Sequence, residues 1–174
     1  MSVIKKYGSK LIIVCIAVLF LVGCDQTTKK VANDHLKDKA HKDVAGIINL
    51  QYIENDGGML SLGSKLPDNI KFIIFIVLVS VFLLILFFYI LNSQKTIFTK
   101  QLALILILSG GIGNLMDRIF NSGNVIDFIR IKLPLIESGI FNIADFYVTV
   151  GFVLLLINYF LENHKKDRLR NNTI

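Results

Sequence analysis

Four apolar runs constrain this chain more than anything else in it: Leu11 to Gly23, Ile70 to Leu91, Ile97 to about Met116, and Phe146 to Leu161. A helix needs roughly 20 apolar residues to cross a hydrocarbon core about 30 Å thick, and inside that core only helices and closed barrels satisfy every backbone N–H and C=O. The second run is long enough as it stands. The first, at 13 residues, has the length of a signal-peptide core, and it spans only if Tyr7 to Lys10 snorkel and the helix continues past Cys24. The third ends in Gly110, Gly111 and Gly113, which permit close helix packing inside a bundle. The expected fold is a membrane all-α bundle of four transmembrane helices with a small external β-element. As one integral membrane domain it has spans at about 7–28, 70–91, 97–116 and 146–161, and external segments at 29–69 and 117–145.

Composition agrees and removes other classes. Of 174 residues, 53% are hydrophobic and 18% charged, too apolar for a soluble domain. Two cysteines, Cys15 and Cys24, rule out a disulfide-stapled scaffold, and His35, His41 and His164 lack metal-ligand spacing, so neither a metal nor any other cofactor is expected. Charge sets the orientation. With both termini cytoplasmic, residues 1–10, 92–100 and 162–174 on the inside hold nine Lys or Arg in 32 residues, and residues 24–71 and 117–146 on the outside hold ten in 78 beside eleven Asp or Glu. That asymmetry follows the positive-inside rule and accounts for the net charge of +6. No basic stripe interleaves with aromatics, so no nucleic-acid partner is expected.

Function must then lie in the external segments. Gly46 to Asn55 places Ile48, Leu50 and Tyr52 on one face and Asn49 and Gln51 on the other, a short strand closed by the turn cluster Asn55 to Gly58. Residues 29–44 mix Lys and Asp with few apolar side chains and read as a solvated linker or frayed helix extension. Ionisable residues at membrane helix ends are costly unless they serve something, which singles out Asp25, Asp117, Arg118, Asp127 and Asp145. Asp127 and Asp145 are each embedded in apolar neighbours, a setting that favours the protonated form. Two converging carboxyls would share one proton and supply a base and an acid, which is what activating water against an amide requires. Eighteen positions separate the two, with Pro134 and Gly139 between, so only a loop returning to the membrane surface could join them. Taken singly, Asp145 or Asn142 could merely cap the fourth helix and Asp127 could be a turn residue. Arg118 beside Asp117 could be an interfacial ion pair, with Asp117 orienting it, or a phospholipid head-group contact, Asn55 a turn former, and Asn114 a helix-packing hydrogen bond.

Five segments in order and in register resemble a known family. Asp25-Gln26-Thr27-Thr28-Lys29, Asn55-Asp56-Gly57-Gly58-Met59-Leu60-Ser61, Gly110-Gly111-Ile112-Gly113-Asn114-Leu115-Met116-Asp117-Arg118, Val125-Ile126-Asp127-Phe128 and Phe141-Asn142-Ile143-Ala144-Asp145 resemble the motifs of lipoprotein signal peptidase, the type II signal peptidase of bacteria. Gly58-Met59-Leu60 departs from the Ala-Ala-Phe usual there. The resemblance implies a membrane aspartic endopeptidase with Asp127 and Asp145 catalytic, and Asp25, Asn55, Gly57, Asn114, Arg118 and Asn142 supporting the dyad or holding substrate. It implies as partners diacylglyceryl-modified prolipoproteins, cut before the lipidated lipobox cysteine, and membrane lipids. A monomer is expected, multi-pass in the bacterial cytoplasmic (inner) membrane, with its active site at the external face.

Two rivals belong to other classes. Leu21-Val22-Gly23-Cys24 fits a lipobox, so the chain could itself be a processed lipoprotein. A small transporter or channel subunit fits less well, because no ionisable residue lies at mid-membrane.

Overall fold

The computed structural model of the chain describes residues 2–37, 39, 42–44, 46–93 and 97–171, and their side chains except at 2–7, 60 and 165–171. Lys95, counted above among the internal basic residues, lies outside the described residues. Among the described residues, four helices are long and apolar enough to cross a membrane. They are α1 (Ser2–Leu36), α2 (Asp68–Asn92), α3 (Phe98–Phe120) and α4 (Ile143–Asn171). Four strands, β1 (Lys42–Val44), β2 (Ile48–Asn55), β3 (Val125–Leu133) and β4 (Ile136–Glu137), form an antiparallel sheet in that order. The expected architecture of four spanning helices and a small sheet is the one found.

Helix α1 shows how the bundle is specified. Val14, Val18, Val22, Asp25, Lys29 and Ala32 are buried, spaced three or four apart, while Ile12, Ile13, Ile16, Leu19 and Phe20 are exposed. One helical face therefore packs inward over its whole length and turns from apolar to polar part-way along. The outward side chains, like Leu84, Phe88, Phe152 and Tyr159 on α2 and α4, form an apolar belt that lipid tails solvate. The helix passes without a break through Cys24, so cleavage before that residue would cut this face in two.

A larger share of α3 is buried than of any other span, and it packs against all three other helices. Its glycines are what allow the approach: a Cβ on Gly110 would lie 2.3 Å from the Ala144 carbonyl oxygen of α4, and one on Gly113 2.5 Å from Asp25 Oδ2 of α1. Away from the sheet, Thr99 Oγ1 donates to Asn158 Oδ1 across α3 and α4 (2.8 Å), and Lys10 Nζ donates to the Ser93 carbonyl.

Of the two readings of 29–44, a solvated linker or a helix extension, the extension holds for its first part. Residues 29–36 extend α1, with Lys29 and Ala32 buried because they continue its inward face, while residues 38, 40 and 41 lie outside the described residues. The strand expected at 46–55 forms as β2, yet Asn49 is buried and Ile48 and Ile53 are exposed. Asn49 Nδ2 donates to Asp43 Oδ1 on β1 (2.7 Å), and a bulge between Leu50 and Ile53 breaks the alternation.

Candidate active site

The long segment between α3 and α4 folds back on itself. Strand β3 pairs with β2, placing Asp127 opposite Ile53 and Val125 opposite Asn55. The chain then turns through β4 and returns, and Phe141 bridges to β3: the N–H groups of Phe128 and Ile129 donate to its carbonyl (3.1 and 2.9 Å), and its own N–H donates to Ile129 O (2.9 Å). This return lays Asn142 beside Asp127 just before α4 begins.

Asn142 caps that helix. Its Oδ1 accepts the Asp145 N–H (2.9 Å) while Asp145 Oδ2 accepts the Asn142 N–H (3.3 Å), a reciprocal capping box. The cap and the carboxylate are thus both used, each on the other. The amide nitrogen of Asn142 faces the opposite way, donating to Asp127 Oδ1 (2.7 Å) and to Asn114 Oδ1 (3.1 Å). Asn114 on α3 donates to Asp145 Oδ1 (2.8 Å), and Asn55 donates to Asp127 Oδ2 (3.0 Å). Asn55 is a turn former as well, because its Oδ1 accepts the Gly57 N–H (3.0 Å). Three asparagines therefore deliver side-chain N–H donors to two carboxylates that come from a strand and a helix.

Both carboxylates line one cavity of about 270 Å³, whose other walls include Met59, Val125, Ile140, Phe141 and Phe146. Burial pushes the Asp127 carboxyl up to about 6; the Asn55 and Asn142 hydrogen bonds and the more distant Lys29 oppose that, and the Asp145 charge adds to it. Arg118 also lines the cavity. Its Nη2 donates to Gly57 O (2.7 Å) and its Nη1 to Asn114 O (3.4 Å), with the guanidinium 5.1 Å over the Phe75 ring. A side chain on Gly57 would collide with the Ser61 and Leu62 backbone at 2.7–2.8 Å, so the turn that holds this carbonyl needs glycine.

Two expectations need correction. Among the described residues Arg118 forms no ion pair with Asp117, and Asp117 does not orient it. Asp117 instead pairs with Lys29 (2.9 Å), accepts from Gln26 Nε2 (2.8 Å) and accepts the Ile126 N–H that begins β3 (3.1 Å). Asp25 lies one layer behind the two carboxylates, with Oδ1 accepting the Ala144 N–H (2.9 Å) and Oδ2 pairing with Lys29 (2.9 Å). Lys29 and Gln26 are the site residues that sequence reasoning passed over. Their signal was present, since Lys29 follows Asp25 by four positions and so shares its helix face.

Comparison with known proteins decides the lineage. Residues 16–161 match the family model of signal peptidase (SPase) II. The chain belongs to the signal peptidase II family. A lipoprotein signal peptidase of Streptococcus thermophilus (strain CNRZ 1066) is 40% identical over 144 residues, covering 82% of this chain and 88% of that protein. One from Streptococcus pyogenes serotype M1 is 36% identical over 143 residues (82% and 89%), and one from Borrelia hermsii is 36% identical over 121 residues (67% and 70%). Among solved structures, a bacterial membrane enzyme determined by the in meso method at 2.3 Å resolution superimposes with a TM-score of 0.76 at 25% identity, covering 88% of this chain and 90% of its own. Another at 1.9 Å resolution gives 0.70 at 26% identity, covering 84% and 91%. With four apolar helices, this signal peptidase II family member is a multi-pass bacterial membrane protein.

Proposed function

We propose that this chain is an aspartic endopeptidase that removes signal peptides from diacylglyceryl-modified prolipoproteins, cutting before the lipidated cysteine, with Asp127 and Asp145 as its dyad. The observation that carries the reading is that both carboxylates line one largely apolar cavity at the sheet end of the helices and are held there by amide donors. Asp127 is the member that keeps a proton, and Asp145 is the base. Asp145 takes a proton from water, whose oxygen attacks the scissile carbonyl carbon while Asp127 gives its proton to the carbonyl oxygen. The tetrahedral diol then collapses. Its C–N bond breaks, the leaving nitrogen takes the proton held by Asp145, and a hydroxyl proton returns to Asp127. Asn142 touches both carboxylates and holds them in one geometry through the cycle.

The cavity lies at the external face and both termini are cytoplasmic, because the basic residues concentrate at the other ends of the helices. The whole chain works as one membrane unit and as a monomer, since both carboxylates and all their donors come from a single copy. The lipidated cysteine enters sideways from the bilayer, its acyl chains remaining in hydrocarbon beside apolar walls.

The test is cleavage of a synthetic prolipoprotein peptide, with and without the diacylglyceryl group, by wild-type protein and by Asp127→Asn and Asp145→Asn. Asn keeps the size of Asp but cannot hold the charge or pass the proton, so each variant loses most activity while remaining folded, and the double variant is hardly worse. Near-wild-type cleavage by either single variant would refute the dyad. Equal rates on the two peptides would refute the lipid requirement.

A further inference from the structure

Lys29 is an unusual group to find inside a membrane helix bundle: 1% of it is exposed. A lysine ammonium has three protons to donate and nothing with which to accept. Each proton has one acceptor here, Asp25 Oδ2, Asp117 Oδ2 and Asn114 Oδ1, all at 2.9 Å. The third contact matters beyond its own strength, because a carboxamide has two unlike ends. With Oδ1 of Asn114 turned to Lys29, its amide nitrogen must face Asp145 Oδ1. The same oxygen accepts from Asn142, which fixes the Asn142 amide so that its nitrogen also reaches Asp127 and its oxygen meets the Asp145 N–H.

We propose that Lys29 is the positioning residue of this site, the donor-only cation that sets the direction of the whole Asn114–Asn142 relay and so presents N–H groups, never carbonyl oxygens, to both carboxylates. The proposal rests on the dyad reading above. Reversing Asn114 would aim an oxygen at Asp145 and set amide nitrogens against each other and against the ammonium. Without Lys29 the strongest donor to the Asn114 oxygen is gone, only the Asn142 and Asp145 contacts are left to oppose that reversal, and the geometry of the two carboxylates is held less tightly. The charged groups that bear on Lys29 are Asp25 on its own helix, Asp117 on α3 and Asp127 on β3, while Asp145 on α4 is reached through Asn114. Removing the cation leaves the anions among them with one positive neighbour fewer. Asp127 then holds its proton to higher pH.

The experiment compares wild type, Lys29→Met, Lys29→Met with Asp117→Asn, and Asp127→Asn, using peptide cleavage in detergent across pH and melting temperature for folding. The double variant preserves net charge in case the single one fails to fold. The expected result in a folded Lys29 variant is a fall in kcat of about 10²-fold, with KM within about twofold and the descending limb of the pH profile moved upward. A role confined to stability would change the melting temperature and leave both the limb and kcat in place, and would overturn the proposal. Recovery of wild-type kcat and limb in the double variant, or failure of that variant to fold, would also overturn it, making Lys29 a counter-charge or a folding element only. Activity in Asp127→Asn would refute the dyad itself and take this proposal with it, an outcome separate from the others.

Discussion

Asn142 separates two jobs that usually coincide, and a pair of substitutions can pull them apart. Fully buried, it caps α4 with its oxygen (Asp145 N–H at 2.9 Å) and positions Asp127 with its nitrogen (2.7 Å). Serine is as good an N-cap as asparagine and keeps an acceptor for that N–H, but it has no amide nitrogen to reach Asp127 or Asn114. Losing a hydrogen bond to an ionisable carboxyl costs about 1.5–3 kcal/mol. If all of that is expressed in the transition state, at about 1.4 kcal/mol per tenfold, cleavage slows by roughly 10- to 150-fold. Asn142→Ser is therefore expected to slow cleavage within that range while keeping the cap. Asn142→Ala loses the cap as well, about 1 kcal/mol more, which lowers melting by about 2–4 °C in a chain of this size. Both variants are measured by initial rates on the lipidated peptide and by thermal melting in detergent. Near-wild-type cleavage by Asn142→Ser would show that the amide does not hold the dyad, and equal melting of the two variants would refute the cap.

The raised Asp127 carboxyl gives a pH prediction. An acid shifted upward keeps its proton to higher pH, so kcat/KM falls as pH rises through about 6. Bound substrate removes more water, so the limb in kcat lies higher; Asn55→Leu deletes a donor that favours the ionised form and should also move the limb upward, and a downward move would contradict the assignment. For folding the sign is the same: the contribution of Asp127 to stability is largest below pH 3.8 and declines up to about 6. Gly110→Ala would place a Cβ 2.3 Å from Ala144 O, forcing α3 and α4 apart next to Asp145, so a loss of about 1–3 kcal/mol and of activity is expected; Gly23→Ala, with nothing within 4 Å, is the neutral control in the same melting assay. A cysteine introduced at Gly46 should react with an impermeant maleimide on intact cells and one at Asn171 should not, and the reverse pattern would invert the proposed topology.

The parts of this molecule that were legible in its sequence are those carried by local pattern. Four apolar runs give four helices because hydrocarbon solvent tolerates nothing else, and alternation plus a turn cluster gives β2. Asp127 and Asp145 stood out because an ionisable group next to Val125, Ile126 and Phe128, or between Ala144 and Phe146, is costly without a purpose. Their meeting was not legible in local pattern, and only the family resemblance implied it. It depends on Phe141 pairing with Ile129, a contact set by backbone hydrogen bonds that leave no mark on side-chain periodicity.

The harder omission is Lys29, and its cause is physical. By apolar length, which stops at Gly23, the first span reaches only to about residue 28 even when the helix is carried past Cys24, so Lys29 falls in the external segment. The helix does not stop there, because burial on α1 follows one face rather than one composition: Val14, Val18 and Val22 lead directly to Asp25, Lys29 and Ala32. A hydropathy window averages all faces and sees that change as the end of the membrane. Read by face, the same residues say that the bundle interior turns polar where α1 meets Asp117 and Asn114 of α3. A buried charge needs opposite charge and complete hydrogen bonding to remain buried. Lys29 therefore had to find acceptors across the helix interface, and one of those acceptors, Asn114, is the group that touches Asp145. The cost of burying one lysine is thus what ties the first helix to the carboxylates contributed by the far half of the chain.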